Sequence, residues 1–148
     1  VFLLGEMRAV EAGEVLAEYI GFPQVLPADV RDLVPERGGF RPHWLAAEAL
    51  LKIGRPAISH VMRKLSETDH TTERRACLAV LLALAGREDA SAALTSTIKR
   101  ETDLRKRSRL EQALGVLPRA GTDVQLPGLE VPSWLRPPEA DTRAPETG

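Results

Sequence analysis

The chain has 148 residues, 43% hydrophobic, 28% charged and 4% aromatic, with 20 basic against 21 acidic side chains. These are the proportions of an ordinary soluble polypeptide of one-domain size. The near-balance of charge removes any global attraction to nucleic acid or anionic membrane, leaving only a local patch open. Leu and Ala supply 40 residues and β-branched Val and Ile only 15, which favours helices and argues against an all-β domain. Cys77, the single cysteine, allows neither an internal disulfide nor a cysteine-based zinc cluster.

In chain order, Ala12, Leu16 and Ile20 recur every four residues and predict a helix face. The preceding Leu4-Gly5 matches the end of an earlier helix, so that Val1 falls in the middle of one. That register predicts that residues, and more repeats, lie upstream of Val1. The connection 21–42 carries Pro23, Pro27, Pro35 and Pro42 with Gly38-Gly39 near its end; a short helical turn is expected around 29–33. Connections of such length are often functional or partly disordered.

From 57 to 117 the chain is free of proline, and Pro56 stands just before it, at a first helical position. Here the apolar set Ala46, Ala49, Leu50 and Ile53 returns 32 residues later as Leu78, Leu81, Leu82 and Ala85. It returns once more as Leu110, Ala113, Leu114 and Leu117. Each set has the i, i+3, i+4, i+7 spacing of one buried helix face. Gly54 and Gly86 follow the first two sets where a left-handed residue would stop a helix. A second register, Ala57, Val61 and Leu65, matches Ala90, Leu94 and Ile98. The unit is helix, tight turn, helix, with Asp89 and Asp103 expected as caps or first-turn acids. The tail 118–148 holds six prolines; it is read as largely irregular, with its last dozen residues mobile.

The segments Glu48-Ala49-Leu50-Leu51-Lys52-Ile53-Gly54-Arg55-Pro56-Ala57 and Leu3-Leu4-Gly5-Glu6-Met7-Arg8-Ala9-Val10-Glu11 resemble the bacterial HEAT-repeat family, over roughly residues 1–20 and 43–117. The resemblance implies an all-α fold, a short right-handed α-solenoid of antiparallel helix pairs, whose usual work is protein or nucleic-acid binding on a concave surface. The repeats would occupy 1–117, interrupted by the Pro-rich insertion 21–42, with 118–148 as the tail. It implies no single reaction.

The chemistry-bearing residues are sparse. His43, His60, His70 and Cys77 are the borderline or soft metal-ligand candidates, and no pair has the i, i+4 spacing that sets two ligands on one helix face. The His-Glu dipeptides of the iron-dependent solenoid hydroxylases are missing, because these histidines precede Trp, Val and Thr. Cys77, among Ala76, Leu78 and Ala79, reads as a small buried thiol. Glu11, Glu14 and Glu18 at i, i+3, i+7 read as a solvated acidic stripe rather than a metal or acid–base cluster. No catalytic, metal-binding or cofactor-binding residue is assigned, and the protein is expected not to be an enzyme.

The basic run Lys99, Arg100, Arg105, Lys106, Arg107 and Arg109 is the candidate interaction patch. It resembles the basic inner helices with which solenoid DNA-repair glycosylases grip phosphate, but no Trp or Tyr lies between Lys52 and Arg119 to stack on a base. Trp44 and Trp134 are the candidate partner-binding or anchoring aromatics. Trp44 is favoured as a staple between insertion and repeat, while Trp134 either anchors the tail or forms a short partner motif. The expected function is a non-catalytic protein–protein interaction scaffold whose partner is another protein, with self-association through an uncovered repeat end as a further option. Nucleic-acid binding through the basic run, or a bilin-lyase-like accessory role, are the alternatives. No membrane insertion is expected, since the longest apolar stretch, 76–85, is well short of the ~20 residues of a spanning helix. The compartment stays open, with the cytoplasm favoured.

Overall fold

The structure, a computed structural model, describes residues 10–22 and 44–117, and every element among them is helical. The expectations about Val1, the 29–33 turn, His43, Trp134 and the tail 118–148 lie outside these residues.

A 3-10 turn, Val10–Ala12, leads into the short helix α1 (Gly13–Glu18). Leu16, Ala17 and, just beyond the helix, Ile20 are buried. Helix α2 (Leu45–Ile53) buries Ala46, Ala47, Ala49, Leu50, Leu51 and Ile53. Apolar contact around so much of its circumference marks an interior helix. It stops at Gly54, whose N–H donates to the Leu50 carbonyl at 3.1 Å. Gly54 has φ 87° and ψ −152°, a region in which a Cβ would be strained.

A 3-10 turn, Arg55–Ala57, carries Pro56 in its first turn and feeds α3 (Ile58–Glu67). This helix is two-sided: Val61, Met62, Leu65 and Ser66 are buried while Ser59, Arg63 and Glu67 are exposed. The turn 68–70 follows, in which the Thr68 hydroxyl accepts the His70 N–H at 3.2 Å. Such side-chain turns supply a helix entrance with a hydrogen-bond partner.

Helix α4 (Thr71–Arg100) is broken at Gly86, with φ 76° and ψ 171°. The half 71–85 is another interior helix, burying Ala76 through Leu81 and Leu84. The half 87–100 buries only Ala90, Leu94 and Ile98, four residues apart on one face. Helix α5 (Leu104–Val116) buries Leu110 and Ala113, with Leu117 just past its end. Asp103 caps α5, its Oδ1 accepting the N–H groups of Arg105 at 2.8 Å and Lys106 at 3.1 Å. Those N–H groups, that of Lys106 first, hold the Asp103 carboxyl below its usual pKa. Asp89 makes no such cap: it lies in the first turn after the break, its Oδ2 3.5 Å from Arg55 Nη2.

The stripes expected from periodicity are mostly, but not wholly, covered. Leu82, Ala85 and Leu114 are half-buried, while the other members of the three sets are buried. Among the second-register residues, Ala57, Val61, Leu65, Ala90, Leu94 and Ile98 are all buried. Helix α1 packs on α2 and α3, α2 on α4, α3 on α4 and α5, and α4 on α5, around one continuous apolar cluster. The approach of α1 to α3 depends on a missing side chain: a Cβ at Gly13 would stand 2.5 Å from His60 Cδ2. No helix among the described residues is long and apolar enough to cross a membrane.

Candidate interaction surface

Helix ends and seams, rather than a single basic face, receive the six cations of the basic run. Arg109 turns back to the end of α3, where its Nε and Nη2 each donate to Asp69 at 2.7 Å and its Nη1 donates to the Ser66 carbonyl at 3.2 Å. The Arg109 fork holds the Asp69 carboxyl below its usual pKa, and Asp69 in turn raises that of Arg109. Arg107 pairs with Glu111 one helical turn on, at 3.0 Å. Lys106 lies 3.5 Å from Glu67. Arg105 shares a shallow depression with Arg109, Asp69 and Gln112. Lys99 lines a groove of 740 Å³ at the α5 end of the molecule, with Arg87, Glu88 and Leu117. Arg100 lines a different groove, and its Nε donates to the Ser96 carbonyl at 3.4 Å. The structure thus brings Arg100 and Lys106 together, and Arg105 and Arg109 together, but not all six.

The groove of Arg100 and Lys106 is the more composite of these surfaces. It measures 720 Å³ and runs between α3 and the 87–100 half of α4, closed at one end by the start of α5. Arg55 and Arg63 complete its cations, and Glu101 is the acidic residue on its lining. Pro56, Ile58, Met62 and Ala93 supply an apolar floor, and Ser59, Ser66, Ser96 and Thr97 supply hydroxyls. Reading the basic run alone missed Arg55 and Arg63. A signal for the seam does exist: 58, 62 and 66 each follow a buried member of the α3 stripe, and 93 and 97 each precede one on α4.

Beginning at Arg63 on this seam, a second set of charges ties α1 to α3. Glu14 accepts from Arg63 at 3.0 Å and Glu18 from Lys64 at 3.1 Å. The acidic stripe is therefore solvated but also paired. Lys64 continues to Glu73 at 3.7 Å, and Glu73 accepts a hydrogen bond from the Thr68 hydroxyl. Burial pulls the Lys64 ammonium down, yet the Glu18 hydrogen bond and the charges of Glu73 and Glu18 outweigh it, so its pKa is raised.

The remaining candidate groups are held apart. Cys77 is fully buried, and burial pushes its thiol up to about 12, the opposite of what a nucleophile requires. His60 is half-buried against Gly13, and His70 is exposed at the entrance to α4. Among the described residues no group of three His, Cys, Asp or Glu side chains is placed to hold a metal ion. Trp44 stands at the entrance to α2, 6% exposed and part of the apolar cluster, and its carbonyl accepts the Glu48 N–H at 2.9 Å. Among the described residues the large exposed apolar side chains are instead Val10, Val15, Tyr19 and Phe22 in and beside α1, and Leu104 and Val116 on α5.

Compared with known proteins, the chain matches no family model, no curated protein and no solved structure.

Proposed function

We propose that this chain is a non-catalytic interaction scaffold, built as a short α-solenoid of HEAT-like helix pairs, whose partner is another protein. The observation that carries this reading is the recurrence of one backbone device at the sequence period. Gly54 and Gly86, 32 positions apart, both take a positive φ with extended ψ, 87° and 76°. Each joins a more deeply buried helix to one that buries a single face. Units of that kind stack by covering one another's apolar stripes and leave a row of outer helices free for binding. In this reading α3 and the 87–100 half of α4 form that row.

The chemistry of the side chains is consistent with binding rather than turnover. The one thiol is buried, with its pKa pushed up to about 12, and several charged groups pair with each other across helices. Nucleic-acid binding through the basic run draws less support, because its cations are dispersed over three separate surfaces and Arg109 is already held in a fork by Asp69.

The test is affinity capture with the full 148-residue chain, followed by calorimetry with the purified partner. Saturable, stoichiometric binding that leaves the partner chemically unchanged is the expected result. A chain that modifies its partner, or that acquires a visible absorption band on incubation with bilin or haem, would overturn the proposal.

A further inference from the structure

We infer that the groove between α3 and the 87–100 half of α4 is a docking site for an extended acidic peptide segment of a protein partner. This rests on the scaffold reading and assigns it a surface and a partner chemistry.

Charge complementarity is the first argument. Arg55, Arg63, Arg100 and Lys106 border the groove, and among the described residues Glu101 alone opposes them on its lining. Three of these cations have an acidic neighbour on the rim: Asp89 at 3.5 Å from Arg55, Glu14 at 3.0 Å from Arg63 and Glu67 at 3.5 Å from Lys106. Such exposed pairs are worth little and exchange readily for an incoming carboxylate. Arg100 makes no ion pair among the described residues; its one hydrogen bond runs back to its own helix. It is the cation with least to give up.

The lining supplies the second argument. The Ser59 and Thr97 hydroxyls each donate to a backbone carbonyl close by in the chain, those of Pro56 and Ala93. Donating inward leaves their lone pairs to accept peptide N–H groups. Between them Pro56, Ile58, Met62 and Ala93 form an apolar floor for an uncharged side chain. A volume of 720 Å³ suits a short stretch of chain rather than a folded surface.

These features also separate peptide from nucleic acid. Among the described residues no aromatic side chain lines the groove, so they offer bases nothing to stack on. The carboxylates of Glu14, Glu67, Asp89 and Glu101 interrupt the positive charge, which tolerates spaced carboxylates but repels a continuous phosphate backbone.

The experiment is a fluorescence-anisotropy titration of the full chain, at low ionic strength, with a labelled peptide of interspersed glutamate, alanine and leucine. The same peptide with lysine replacing glutamate, and a single-stranded deoxythymidine oligonucleotide, run in parallel. The acidic peptide is expected to bind saturably and more weakly as salt is raised. Arg100→Glu should weaken it roughly fivefold or more, and Ser59→Trp should weaken it without changing charge. Lys99→Glu makes the same charge change one residue away but off this groove, and should leave the affinity within about twofold. Melting curves check that each variant is folded. No binding of the acidic peptide, equal losses in Lys99→Glu and Arg100→Glu, or preference for the lysine peptide or the oligonucleotide would each overturn the inference. If Arg100→Glu and Ser59→Trp leave capture of a purified protein partner unaltered, the groove assignment falls while the scaffold reading stands. If the chain proves to modify that partner, the scaffold reading falls first.

Discussion

Arg109 and Asp69, forty positions apart, meet in a forked pair of 2.7 Å hydrogen bonds, with the Ser66 carbonyl as a third acceptor at 3.2 Å. The contact joins the middle of α5 to the turn that follows α3, two segments separated in sequence by α4. Because Arg109 is largely covered while Asp69 is open to solvent, its worth is chiefly in fixing where α5 lies. Arg109→Ala is expected to speed amide hydrogen exchange along α5 while leaving α2 protected. Uniform exchange changes in both helices would show that the pair is not local to α5.

The same pair predicts a pH dependence. The Arg109 fork lowers the Asp69 pKa below 3.8, so its folded value lies under its unfolded one. Its contribution to stability is therefore complete above 3.8 and is lost as pH falls through the folded value. Asp103, lowered by the Lys106 and Arg105 N–H groups, acts in the same direction. Asp69→Asn should remove part of the acid-induced fall in melting temperature, and the residual slope should diminish further in Asp103→Asn. An unaltered acid limb in both variants would contradict the assignment.

Two glycines should respond to alanine with opposite signs. Gly86 has φ 76° with open space around the added Cβ, so Gly86→Ala meets backbone strain alone and should destabilise by about 1–2 kcal/mol. Gly115 lies in the last turn of α5, also with open space, and Gly115→Ala should stabilise by up to about 0.5 kcal/mol, less than at a helix centre. Urea midpoints of the two variants check both.

Leu81 is fully buried, whereas Leu104 is 81% exposed. Leu81→Ala should cost on the order of 2–5 kcal/mol, and Leu104→Ala should stay within about 0.5 kcal/mol. A melting shift at Leu81 no larger than that at Leu104 would be incompatible with 71–85 as an interior helix.

Cys77, with its thiol raised to about 12 by burial, should react with a disulfide reagent such as Ellman's only when the chain opens. Native protein is expected to label at a rate set by opening, and denatured protein at once. Immediate labelling of folded protein would mean that the helix 71–85 leaves Cys77 accessible.

Much of the local structure was legible because it depends on neighbours in the chain. Gly54 and Gly86 announce helix breaks, Asp103 announces a cap, and the spacing of Val61 with Leu65 and of Leu94 with Ile98 announces a buried face. The interior helices were only half legible: Leu51 and Val80 fall off the periodic stripe, yet both are buried, because those helices are covered on more than one side. The cross-helix charge pairs were not legible at all. Nothing local to Lys64 points to Glu18 and Glu73, and nothing local to Arg109 points to Asp69; such partners follow only once the helices are docked. The groove escaped for the same reason, since Arg55 and Arg63 join Arg100 and Lys106 only through packing.

The half-helix 87–100 presents Ser91, Ala92, Ala93, Thr95 and Ser96 to its two flanking grooves. Short side chains have few rotamers to lose when a surface is covered. A ligand lying along this wall would leave the wall itself almost unchanged in entropy, and the ordering penalty of association would fall on the ligand and on the longer cations at the rim. Affinity at such a surface is accordingly expected to rise most when the ligand, rather than the protein, is made rigid.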